Sequence, residues 1–132
     1  MSEENVEIVR QVYDAVARHD TAAVLAMYDP EIEWRPWSDL TGRSVYHGLD
    51  DLRTFYREWY EAWEGYEENY DELIDAGEHV VVVATGRGRG RASGAAVHWT
   101  QFGTWTIRAG KIVRVVWFPT REEALEAAGL SE

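Results

Sequence analysis

The chain has 132 residues and a formal net charge of −11, with hydrophobic residues at 45% and aromatics at 13%, including seven Trp and seven Tyr. That length fits one domain with a core of its own, and the acidic balance argues against nucleic acid and anionic membrane as partners. Cysteine is absent, which removes disulfides, thiolate nucleophiles and Cys-ligated metals.

The aromatic load is more than a compact core needs, so a lined cavity is expected. The first residues, MSEENVEIVR, are acidic and lack the basic start and apolar run of a signal peptide. No apolar stretch approaches the roughly 20 residues that span a bilayer. The expectation is a soluble cytoplasmic protein, one domain over residues 1–132, without repeat, linker or low-complexity tail.

In chain order, Val6, Val9, Val12, Tyr13 and Val16 recur at helical spacing and predict a helix from about Glu3 to Arg18, with Ser2 as its cap. Asp20 caps a second short helix, Thr21 to Tyr28, which Asp29-Pro30 ends. A short strand from Glu31 to Arg35 sets Ile32 and Trp34 on one face, Glu33 and Arg35 on the other. Pro36 to Gly48 reads as a loop. Asp50 caps a third helix reaching about Glu64, with Leu52, Phe55, Tyr56, Trp59 and Trp63 as its apolar stripe. Four strands follow: Glu67 to Ile74, His79 to Arg91, Ala96 to Arg108 and Lys111 to Phe118, the last two as a hairpin. A short helix, Arg121 to Ala128, closes at Gly129. Helices followed by long antiparallel strands predict an α+β fold with the helices gathered on one face.

Several segments in this order resemble the SnoaL-like branch of the nuclear-transport-factor-2-like superfamily. They are the first helix with Tyr13, the Asp20 turn, and Asp29-Pro30-Glu31-Ile32-Glu33-Trp34. Further along stand Tyr46-His47-Gly48, Ile74-Asp75-Ala76-Gly77, the turn from Arg108 to Val113, and the ending from Glu123 to Leu130. The resemblance implies a cone: a curved antiparallel sheet wrapped around three N-terminal helices, with a short C-terminal helix and a deep pocket at the open end. It also implies a homodimer through the outer face of the sheet. Known activities of the family include ketosteroid isomerisation, polyketide cyclisation, epoxide hydrolysis and dehydration, and some members only bind, so the fold leaves the chemistry open.

Ketosteroid isomerases need an Asp base with a Tyr and a protonated Asp as donors. Tyr13 matches the Tyr, but the base position falls at Trp34 or Arg35 and the second Asp position near Gly103. The Asp-Arg-Asp set of the family's epoxide hydrolases has no counterpart, since Val97 to Ile107 and Lys111 to Phe118 hold no Asp or Glu. Acids outside helix surfaces are Glu33 and Asp39, and Asp39 stands in a loop that can edge the pocket mouth. His47 beside Gly48 is the histidine placed for acid-base work. Tyr13, Asp39 and His47 are therefore the catalytic candidates. Each has a plainer reading as well: a satisfied core tyrosine, a solvated loop acid and an exposed loop histidine. The four histidines lack ligand spacing, so neither metal nor cofactor is expected.

Alternation sorts Val97, Trp99, Gln101, Gly103, Trp105 and Ile107 onto one face. That set is the bulkier and more apolar, and the resemblance at Gly103 also points it inward, joined by Val113, Val115 and Trp117. Trp34, Tyr56, Trp59, Trp99, Gln101, Trp105 and Trp117 are the expected ligand-binding set, with Gln101 either orienting a ligand or bonding to backbone. In Gly86-Arg87-Gly88-Arg89-Gly90-Arg91, period two puts glycines on one face and arginines on the other. The glycines make room for facing indoles, and the arginines coat the outer face, where they can meet acids across a dimer. Two functions stay open. One is a pocket for a small hydrophobic, cyclic or aromatic molecule with cofactor-free isomerase, cyclase or dehydratase chemistry. The other is a non-catalytic dimeric binding module whose pocket is filled by its own rings.

Overall fold

The computed structural model describes residues 2–37 and 43–130. Its elements are α1 (Ser2–Ala17), α2 (Thr21–Ala26), β1 (Tyr28–Arg35), β2 (Tyr46–His47), α3 (Leu49–Ala62), β3 (Trp63–Ala76), β4 (His79–Gly90), β5 (Ala96–Arg108), β6 (Lys111–Phe118) and α4 (Arg121–Ala127). The six strands form one curved open sheet in the order β2-β1-β6-β5-β4-β3. Every pairing is antiparallel except β1 with β6, which run parallel.

The concave face carries the main core. Val9, Val12, Leu25 and Leu52 from the helices meet Ile32, Val80, Val82, Ile107, Ile112 and Val115 from the sheet. α1 and α3 cover this face because their apolar residues recur at three and four. The Asp20 side chain accepts from the Ala23 amide at 3.1 Å and starts α2. Gly129 at φ +81° ends α4, with the Leu130 amide donating back to the Leu125 carbonyl at 2.9 Å.

Several boundaries differ from the sequence reading. Ser2 is already helical, so it is not the cap of α1. α2 stops at Ala26 because Tyr28 joins β1 and pairs with Ile112. Gly48, not Asp50, caps α3 and does so without a side-chain bond. Within the expected loop, Tyr46 and His47 pair with Trp34 and Glu33 as β2. A register shift between Thr106 and Ile107 moves Ile112 into the core in place of Val113.

The helices are not gathered on one face. Val81, Phe102, Ile74 and Phe118 turn to the convex side, where Ala124, Leu125 and Ala128 of α4 cover them. The buried Thr104 hydroxyl donates to the Ala124 carbonyl at 2.7 Å and fixes this helix on the sheet. Arg87 of the outer face pairs with Glu67 of its own chain at 3.4 Å, and Arg89 donates to the Gly94 carbonyl at 2.6 Å. No helix among the described residues is long and apolar enough to cross a membrane.

Candidate functional site

A cavity of about 190 Å³ opens between the helices and the concave face. Trp34 of β1, Tyr56 and Trp59 of α3, Trp99, Gln101 and Trp105 of β5 and Trp117 of β6 all line it, as does Tyr13 of α1. The structure thus brings all seven residues of the expected ligand-binding set to one cavity. Their convergence follows from strand alternation, which aims Trp99, Gln101 and Trp105 the same way.

The glycine strand makes this wall possible. A Cβ on Gly86 would stand 2.8 Å from the Tyr66 hydroxyl and 3.0 Å from the Trp99 indole, and one on Gly88 would stand 3.3 Å from Tyr66. Only hydrogen at these positions lets the rings lie flat against the sheet. Trp59, Tyr66 and Trp99 then meet one another at centroid distances of 5.5 to 5.8 Å. The indole N–H groups of Trp63, Trp105 and Trp117 are buried without a hydrogen-bond partner among the described residues. An unpartnered donor costs about 1–3 kcal/mol, so the wall favours ring surface over satisfied donors.

The catalytic candidates part company. Tyr13 is in the cavity. His47 is exposed at the sheet edge, its ring 3.9 Å from Glu31 and its amide donating to Asp51 at 2.9 Å. The two-residue β2 holds it outside the cavity wall. Asp39 lies outside the described residues.

The acid that sequence reasoning missed is Glu68 of β3. Tyr13 donates to one of its oxygens at 2.9 Å and Tyr66 to the other at 2.7 Å. The residue keeps part of its surface open, yet its carboxylate has protein atoms around it, and burial raises its pKa despite the two phenol bonds that lower it. Burial and the Glu68 charge together raise the Tyr13 and Tyr66 phenols, which stay protonated donors. A second polar pair also lines the cavity, the Tyr28 and Tyr56 hydroxyls 2.7 Å apart. No Lys, Arg or His of the described residues lines the cavity. No group of His, Asp or Glu among the described residues is placed to hold a metal.

A raised carboxyl between two phenols is suited to take a proton from a bound molecule and return it.

Residues 9–115 match the model of the SnoaL-like domain. An NTF2-like protein from Burkholderia thailandensis is 33% identical, with 86% of this chain and 88% of that one covered and a TM-score of 0.80. An NTF2-like protein of unknown function from Burkholderia pseudomallei is 25% identical over 93% of this chain and 95% of that one, with a TM-score of 0.79. TerC, co-crystallized with polyporic acid, is 21% identical over 96% and 98%, with a TM-score of 0.77, a likeness of fold. No curated protein matches the chain.

Proposed function

The chain belongs to the SnoaL-like domain family, and on that premise we propose that it binds a small hydrophobic, cyclic or aromatic molecule and moves a proton on it without a cofactor. The observation that carries this reading is Glu68 held between Tyr13 and Tyr66 on an aromatic wall. Glu68 is the proton acceptor, the two phenols hold its carboxylate in place, and Gln101 is the polar handle on β5, separated from β3 by β4 in the sheet. Isomerisation, cyclisation and dehydration all reduce to such transfers. An engineered cavity of about 150 Å³ admits benzene, so 190 Å³ suits one ring with a small substituent.

Titration with benzyl alcohol is expected to shift the tryptophan emission saturably. Val16→Phe, which fills the cavity from α1, should abolish the shift while leaving the circular dichroism unchanged. A flat titration of the wild type overturns the reading.

A second reading, a non-catalytic dimeric module, draws on the volume, which is below the roughly 300 Å³ of ordinary ligand pockets. Its dimer would use the convex face that α4 leaves open, around Thr85, Thr100 and Arg87. Light scattering across micromolar concentrations is expected to give twice the 15.2 kDa chain mass. A constant monomer mass refutes the dimer.

A further inference from the structure

Among the described residues the cavity wall carries a carboxyl group and no cationic side chain. Glu68 is the one carboxylic acid of the described residues in it, and no Lys, Arg or His among them faces it there. A carboxylate withdrawn from water without a counter-charge is costly, and a bound cation offsets that cost. The two phenols occupy one acceptor site on each oxygen. A carboxylate offers about four such sites, so an N–H donor can still bond to either oxygen.

Around this anion the surface is made of ring faces. Tyr66 lies 5.5 Å from Trp59 and 5.7 Å from Trp99, and Tyr13 stacks on Trp105 at 5.8 Å. Aromatic faces attract ammonium groups, most strongly where water is excluded. A net charge of −11 draws cations toward the whole molecule and repels anions of the same size.

We propose that the ligand is a one-ring amine, bound as its ammonium with the nitrogen against Glu68 and the ring among Trp59, Trp99 and Trp105. The inference rests on the ring-binding reading above and names its substrate class. The chemistry follows in one balanced step: the ammonium N–H bond breaks, its proton passes to a Glu68 oxygen, and the nitrogen keeps the electron pair. The products are a neutral carboxylic acid and a free amine able to attack an electrophile within the same molecule.

Calorimetric titration with benzylamine, benzyl alcohol and benzoate separates the two readings. Benzylamine is expected to bind wild-type protein at least about tenfold more tightly than benzyl alcohol, with benzoate weakest. In Glu68→Gln the advantage of the amine over the alcohol should vanish. Equal affinity for amine and alcohol in the wild type, or a preference that survives Glu68→Gln, overturns the amine assignment and leaves the ring pocket standing. Failure of all three to bind overturns both. Should Glu68→Gln fail to fold, the wild-type comparison of amine with alcohol decides alone.

Discussion

Gly103→Ala is expected to lower the unfolding free energy by about 1–3 kcal/mol, the range for overpacking a filled core. The added Cβ would lie 2.8 Å from Cε3 and Cζ3 of Trp117 and 3.0 Å from Nε1 of Trp105. Neither indole can swing to solvent: Trp105 is 2% and Trp117 4% exposed, and they meet edge to face at 6.0 Å and 89°. The backbone is equally held, since Gly103 stands between Val82 of β4 and Trp117 of β6 in the ladder. A shift of β5 would break pairings on both sides. If the clash carries the cost, shrinking the obstacle relieves it. Trp117→Leu should therefore cost less in the Gly103→Ala background than alone, a non-additivity read by urea unfolding of the four proteins. Additive costs would mean that the clash with Trp117 does not carry the loss.

How far such contacts could be read from the sequence depended on whether the strand kept its period. β5 is regular across the cavity, and alternation, together with the bulk of one face and the family resemblance at Gly103, aimed Trp99, Gln101 and Trp105 inward, where they line it. β3 is not regular. Gly65 takes φ +63°, and the register slips between Glu64 and Glu67. Counting by two from the half-buried Trp63 would turn Glu67 inward; the slip turns in Tyr66 and Glu68 instead. Glu67 pairs with Arg87 on the surface, and Glu68 reaches Tyr13. The signal was the spacing Tyr66-Glu68-Tyr70, two rings flanking an acid on one strand face. α4 shows another gap. The expectation gathered every helix on one face, but the convex patch of Val81 and Phe102 takes α4 to the other. β2 is two residues long, too short for a period to register.

Glu68→Gln is expected to be more stable relative to wild type at about pH 8 than at about pH 4, by about 1–3 kcal/mol, the cost of an imperfectly solvated buried group. Burial is the largest influence on this carboxyl and raises its folded pKa above the unfolded value; the Tyr66 and Tyr13 bonds offset only part of that. Below the unfolded value both states are protonated, and the group contributes its full stability. As pH rises, the unfolded chain loses the proton first, so stability falls until the folded carboxyl has ionised as well. The Gln side chain has no such titration, and its amide can still bond to both phenols. Glu33 behaves in the opposite sense, since its bond to Arg35 and then that to Arg114 lower its pKa, and its stabilisation is lost as pH falls. That titration is common to both proteins and cancels in their difference. Urea unfolding of wild type and variant across the pH series checks the sign. A difference that stays flat with pH would mean that Glu68 ionises in the fold as easily as in the unfolded chain, and an enclosed proton acceptor at this position would lose its physical basis.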